Sequence, residues 1–394
     1  MSEHSVVIVA AKRTPIGAFQ GVLTPLTAPQ LGAAAIRAAV AAAAVDPAQI
    51  QEVIMGCVLP AGLGQAPARQ AAIGAGLPLA THATTINKMC GSGLKAIMLG
   101  ADQIRAGDIE VVVAGGLESM TNSPYLLPKA RAGYRMGNGE VLDHMFYDGL
   151  QSPFDGQLMG CFAERTSSRY QFSRAEQDAF AEESVRRSMR AIDAQDFAAE
   201  LTPVTVKARK GETVVSRDET PFNCDIAKIP TLKAAFAKDG TVTAASSSSI
   251  ADGAAALVLM REAAARASGL KPLARILAYA SHAQEPEWFT TAPIGAIKKT
   301  LQRLGWSAQD VDLYEINEAF AVVTMAAMRD VGIEHARVNV HGGACALGHP
   351  IGATGARIVT TLVHALARRG ASRGIAALCI GGGEAVAIAV ERIA

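Results

Sequence analysis

The stretch CGSGLKAIMLGADQIRAGDIEVVVAGG, residues 90–116, has a second copy in outline at residues 348–383, GHPIGATGARIVTTLVHALARRGASRGIAALCIGGG. Each runs through the same events: a glycine-rich turn, a helix, then a short apolar strand that ends in glycines. Two copies of one α/β unit are expected, and duplicated units of this kind face each other. Ligands of α/β folds sit in the crevice outside the carboxyl ends of the strands, so the chemistry is expected between the halves.

Working outward, residues 6–10 read as a buried strand and residues 29–44 as an alanine-rich helix suited to packing on a sheet. Residues 53–58 and 111–114 are short apolar runs bounded by glycine, the pattern of strands buried on both faces. Helical periodicity fills residues 91–106. From residue 122 to about residue 244 the chain changes character, with a long polar segment at 125–149 and a charged helix at 173–191. This stretch reads as an inserted, solvated domain. Ser173 followed by Glu176 forms a capping box, because each side chain can satisfy a free backbone N–H at the helix start.

A chain of 394 residues, half of them apolar, can bury a large core and divide into two or three domains. Lysine plus arginine total 37 against 36 for aspartate plus glutamate. Such a balance gives no field to hold nucleic acid or an anionic membrane, and a small-molecule partner is expected. The six cysteines, at 57, 90, 161, 224, 345 and 379, form no CxxC pair, and the amino terminus has no basic segment leading into a long apolar one. A reducing cytoplasm fits this usage. The apolar runs near the start fall far short of the ~20 residues that span a bilayer.

Four clusters carry chemistry. Cys90, within NKMCGSG, sits where an extended segment turns into a helix, whose free N–H groups and dipole favour a thiolate and lower its pKa. The competing reading is a buried structural cysteine. In VNVHGGACALGHPIG, residues 338–352, His341, Cys345 and His349 recur every four residues, like a zinc stripe on a helix. Glycines and a proline make a continuous helix there costly, at about 1 kcal/mol per glycine and ~3 for proline. The segment therefore reads as a loop, with no metal, that puts His349 at the mouth of a helix starting after Pro350. There a neutral imidazole can take a proton from a thiol or donate to an oxyanion, although a satisfied structural histidine has the same signature. In CIGGG, Cys379 ends an apolar strand beside bare backbone N–H groups suited to an oxyanion. A phosphate loop is the rival there, but neither GxGxxG nor GxxxxGK[ST] occurs. Asn317, in EINEAF, can hold an ordered water through its amide or simply cap a helix. A thiol, an imidazole, a second thiol and an anion site together fit acyl transfer from a CoA thioester followed by enolate attack.

The blocks VAAKRTPIGAF, NKMCGSGLKAI, AGGLESMTNSPY, DGAAALVL, NEAFA, GGACALGHPIGATGARI and CIGGGEA follow one another along the whole chain. In these the sequence resembles the thiolase family. The resemblance implies an α/β fold of two similar βαβαβαββ halves in a five-layered α-β-α-β-α core. It implies a first half at residues 1–120 plus 245–270, a loop domain at 121–244 and a second half at 271–394. It further implies that Cys90 is acylated, that His349 activates it and that Cys379 is the acid/base of a Claisen step. One oxyanion hole would be His349 with a water on Asn317, the other the N–H groups of Cys90 and Gly381. The acyl-CoA substrate is expected against Leu150, Leu158, Met159, Phe236, Ala244, Ser248, Ala319 and Phe320, with no cofactor beyond the CoA thioesters. The family's members are dimers or tetramers, so a homotetramer is expected here.

Within the family, KDGTVTA and the segment 338–357 look most like the biosynthetic type, which condenses two acetyl-CoA to acetoacetyl-CoA and CoA. Two departures stand out. Leu158 occupies a place where such enzymes commonly have histidine, and a serine run, residues 246–249, replaces an asparagine-containing segment while leaving Ser248 at the position expected to touch the pantetheine amide. The basic residues that would meet the CoA phosphates have no match in residues 218–230. The enzymatic rival is a degradative 3-ketoacyl-CoA thiolase of broader chain length. A decarboxylating ketoacyl synthase would pair two histidines with its cysteine, and Cys379 argues against it. A non-catalytic acyl-CoA carrier on the same fold would have no need of Cys90, His349 and Cys379 together.

Overall fold

The computed structural model describes residues 5–208 and 211–393. Its first half sets five strands side by side: β1 (Val6–Arg13), β2 (Glu52–Gly56), β3 (His82–Ile86), β4 (Val111–Ser119) and β5 (Ala251–Arg261). Their spatial order is β3-β2-β4-β5-β1, with β3, β2 and β4 parallel and β5 antiparallel to both its neighbours. The second half repeats the pattern with β6 (Ala274–Ala283), β7 (Leu313–Ile316), β8 (Arg373–Ile380) and β9 (Glu384–Arg392), in the order β7-β8-β9-β6. A single parallel bridge, Tyr314 to Val338, stands where the third strand of this half would lie. The first strands of the two halves meet antiparallel, Val6 to Ile276 and Ile8 to Ala274, so the sheets join edge to edge.

Alternation along β1 shows why the layers stack. Val6 and Ile8 point into the central layer, while Val7 and Val9 point outward, as a period of two requires. The outer face of the first sheet is covered by α1 (Ala28–Ala43) and α2 (Pro67–Gly74). α1 begins at a Thr27–Gln30 capping box and buries Leu31, Ala35, Ile36, Ala39 and Val40, which share one face of the helix. The outer face of the second sheet carries α6 (Ala292–Leu304) and α7 (Ala321–Val331). Between the sheets lie α3 (Ser92–Ala106) and α8 (Ile351–Arg369), which completes five layers, α-β-α-β-α. Ile358, Leu362 and Leu366 of α8 are fully buried there, each stabilising the fold by about 1.5–3 kcal/mol relative to exposure. The two central helices nearly touch backbone to backbone. A Cβ on Gly93 would lie 2.7 Å from the nitrogen of Ala356, and one on Gly355 would lie 2.3 Å from that of Leu94.

After β4 the chain leaves the sheet and returns only at β5. This excursion carries α4 (Met159–Tyr170) and α5 (Arg174–Asp193). It is fastened to β1 by Arg13, wholly buried, whose guanidinium bonds Glu200 at 2.5 Å and both oxygens of Asp218 at 2.7 and 2.9 Å. Residues 125–141 are largely exposed, as expected of a solvated segment. α5 is not: its capping box at Ser173 and Glu176 is present, but Phe180, Ser184 and Ser188 are buried against the second half. The segment 338–352, expected to be a loop throughout, contains one helical turn at Ala344–Leu347 before Gly348 breaks it with φ 101°. Among the described residues no helix is long and apolar enough to cross a membrane.

Candidate active site

Cys90 is delivered by a tight turn between β3 and α3. The Asn87 carboxamide oxygen accepts from the Met89 N–H at 2.9 Å, and the Ser92 hydroxyl accepts from Lys88 N–H at 2.8 Å while donating to the Met89 carbonyl at 2.6 Å. These bonds hold Met89 at φ 47°, a left-handed conformation that costs a side-chain-bearing residue roughly 1–2 kcal/mol. The sulfur then sits two residues upstream of α3, where the backbone N–H groups of Cys90 itself and of Gly381 hydrogen-bond it.

His349 comes from the other half, two residues upstream of α8. Its Nδ1 lies 2.7 Å from the Thr354 hydroxyl, which donates its own proton to the Pro350 carbonyl at 2.9 Å. The hydroxyl can therefore only accept from the ring, so Nδ1 carries the hydrogen and Nε2 the lone pair. Nε2 and both polar atoms of the Asn317 amide make no hydrogen bond with the described residues, although both side chains are buried. Cys379 is fully buried at the end of β8 and close enough to Cys90 for the charge of one to raise the pKa of the other.

Burial dominates the electrostatics. It pushes the Cys90 thiol up to about 11, against the two backbone N–H bonds that favour the thiolate. The lowering expected at the helix start is not found, because desolvation of the anion outweighs the two backbone N–H bonds to the sulfur. Burial also drives the His349 imidazolium down to about 3, helped by the positive charge of Arg357, and it raises Cys379 well above an ordinary thiol. At rest the three groups are two thiols and a neutral imidazole.

A cavity of about 200 Å³ opens onto Cys90, His349 and Gly381. Its wall includes Leu150, Leu158, Met159, Phe236, Ser248, Ala319 and Phe320. Ala244, expected beside them, is exposed and does not line the cavity. Asn317 and Cys379 are buried and are not among the residues that line it. The serine run is ordered: Ser247 donates to the Thr243 carbonyl at 2.7 Å and the Ser248 N–H to the Ala319 carbonyl at 3.0 Å. Leu158 sits at the start of α4, presenting an alkyl group where a histidine would offer a hydrogen bond. In the stretch 218–230, Asp218 is consumed by Arg13, and Lys228 pairs with Asp225.

The remaining members of the supposed metal stripe diverge. The His341 Nε2 lies 3.5 Å from Asp196, and the Cys345 thiol turns to the Glu318 carbonyl at 3.7 Å beside Phe180. No cluster of three or more His, Cys, Asp or Glu able to hold a metal occurs among the described residues.

Sequence reasoning missed Phe146, Phe289 and Ile351 in the wall, since isolated apolar residues carry no spacing signal. It also missed the supports. Asn339, at φ 46°, accepts from the Ile316 N–H and donates to the Ile316 carbonyl and to Glu318, all at 2.8 Å, which fixes the strand end that carries Asn317. Glu118 belongs to the segment AGGLESMTNSPY, the one feature of the sequence that points to it.

A half-buried thiol and a neutral imidazole, brought from two copies of one α/β unit to a shared apolar cavity with backbone donors on the sulfur, define an acyl-transfer site of the thiolase type. Residues 6–263 match the description "Thiolase, N-terminal domain" and residues 270–392 "Thiolase, C-terminal domain"; the chain belongs to the thiolase family. It is 50% identical to "Acetyl-CoA acetyltransferase" of Pseudomonas aeruginosa, over 99% of this chain and 100% of that one. It is 49% identical to the protein of the same name from Escherichia coli, over 98% and 99%. Among solved structures it superposes on the Bacillus anthracis acetyl-CoA acetyltransferase with a TM-score of 0.97 at 42% identity, covering 100% of both chains. It likewise superposes on Acat5 thiolase from Ascaris suum in complex with coenzyme A, with a TM-score of 0.94 at 42% identity over 99% and 100%.

Proposed function

We propose that this thiolase condenses two acetyl-CoA reversibly to acetoacetyl-CoA and CoA through an acetyl-Cys90 intermediate. The observation that carries the reading is the meeting of Cys90, the lone-pair nitrogen of His349 and the Gly381 N–H at one cavity. The full-length similarity to acetyl-CoA acetyltransferases supports acetyl-CoA as the substrate.

Because the thiol and the imidazolium have pKa values near 11 and 3, no free thiolate–imidazolium pair waits at rest. The Cys90 proton passes to His349 Nε2 as the sulfur–carbon bond forms at the thioester carbonyl. Cys379, a thiol at rest, gives its proton to the departing CoA sulfur and is left as a thiolate. That thiolate removes an α-proton from the second acetyl-CoA; the enolate attacks the acetyl carbonyl, and the Cys90 sulfur leaves and regains its proton from His349. Negative charge develops on a thioester oxygen at each stage. We assign the Cys90 and Gly381 N–H groups to one oxyanion and His349 with an Asn317-bound water to the other.

CoA thioesters serve as substrates, and the chemistry calls for no further cofactor. The edge of β3, partly exposed along its length, supports assembly with copies of the chain into a tetramer. Six free cysteines support a cytoplasmic location.

Incubation with acetyl-CoA followed by peptide mass spectrometry is expected to place one acetyl group on Cys90. In steady state, kcat/KM for acetoacetyl-CoA is expected to exceed that for 3-ketohexadecanoyl-CoA. An unmodified Cys90 would favour the carrier reading, and equal or greater long-chain turnover would favour the degradative thiolase.

A further inference from the structure

Glu118, near the end of β4, is a carboxylate that touches both halves of the molecule at the seam beside Cys90. It is wholly buried. Its Oε2 accepts from the Val58 N–H at 2.9 Å, in the segment after β2, and from the Gly352 N–H at 2.9 Å, in the first turn of α8. Its Oε1 accepts from the Leu59 N–H at 3.1 Å, with the Cys57 sulfur 3.6 Å away. Val58 and Leu59 pack with Met89, Cys90 and Ile351, so they form the floor beneath the nucleophile. Gly352 follows His349 by three residues. The contact is close: a Cβ on Gly116 of β4 would lie 2.0 Å from the Gly352 carbonyl oxygen.

We propose that Glu118 is a positioning residue, a carboxylate clamp that holds the helix carrying His349 against the floor under Cys90 and places negative charge beside the thiol. The proposal rests on the thiolase reading of this site. Three N–H donors converge on two oxygens, a set that favours the ionised carboxylate; one donor belongs to a helix start, where N–H groups lack partners within the helix. Glu118 performs no proton transfer, and it lies outside the cavity wall. Its charge raises the pKa of Cys90, and burial raises its own to about 7 against the three N–H bonds. The titratable groups near it are the thiols of Cys57 and Cys90.

Glu118→Gln keeps the size, removes the charge and puts an NH2 group against at least one N–H donor. With acetoacetyl-CoA and CoA, kcat is expected to fall about 10- to 100-fold with KM nearly unchanged, the range for removing a group that orients a catalytic one. At about pH 8, carboxamidomethylation of Cys90 by iodoacetamide, followed by peptide mass spectrometry, is expected to become severalfold faster, because the thiol loses a neighbouring anion. A merely structural role would lower both rates together. Glu118→Asp retains the charge on a shorter arm, so its alkylation rate is expected to match the wild type while kcat is only partly recovered; the same two readings decide the matter where the Gln variant does not fold. Wild-type kcat in folded Glu118→Gln overturns the proposal, as does a parallel loss of turnover and alkylation. Wild-type protein that is alkylated at Cys90 but turns over no thioester would instead overturn the thiolase reading and leave the clamp to be judged on alkylation alone.

Discussion

Cys90 and His349 hold the same position in the two halves of this thiolase, two residues before the central helix of each repeat, α3 in one and α8 in the other. Duplication thus put two helix starts face to face, and substitution made one a nucleophile and the other a base. The strand that follows diverges in the same manner: its end carries Glu118 in the first half and Cys379 in the second. Identical backbone geometry supplies the addresses, and the chemistry lies in which side chain each address received.

The sharpest way to break this division of roles is Cys90→Ser. A hydroxyl has no comparable anion population and no buried base strong enough to create one, so kcat/KM is expected to fall on the order of 10⁴-fold or more in a coupled assay. Retained turnover would move the nucleophile elsewhere. Cys379→Ala is expected to cost about 10³-fold in condensation, yet mass spectrometry should still find acetyl-Cys90, because the first half-reaction needs the second thiol only for the leaving group. An unacetylated protein would show that the halves do not divide the work in this way.

Gly355→Ala tests the seam itself. A methyl group 2.3 Å from the Leu94 nitrogen must push α3 and α8 apart, and a loss of about 1–3 kcal/mol in urea unfolding is expected, without any catalytic group being touched. The smallest effect concerns protonation. With the Cys90 thiol at about 11 and the His349 imidazolium at about 3, lowering the pH through neutrality removes thiolate and adds no imidazolium. Alkylation of Cys90 by iodoacetamide should therefore rise about tenfold per pH unit from about pH 7 to 9. A plateau near neutrality would reveal a preformed ion pair.

Much of the fold was legible because its signals are local. The repeat at residues 90–116 and 348–383 contains α3, β4, α8 and β8, and the capping box at Ser173 starts α5 where expected. The glycines and proline of residues 338–352 excluded a metal-binding helix, although the single turn at Ala344–Leu347 escaped notice because four residues carry no period. The burial of one face of α5 also escaped, since a charged helix with serines on its inner side reads as solvated.

From its residues alone this chain fixed the duplicated α/β unit, the two thiols, the imidazole and the family to which they belong, because each is written in contiguous segments. Tertiary structure alone decided the protonation of those groups, the apolar wall with Phe146 and Phe289, and the clamp at Glu118. Burial and contacts between distant segments set these properties, and a helix start that would favour a thiolate in water carries a neutral thiol once the folded chain has excluded the solvent.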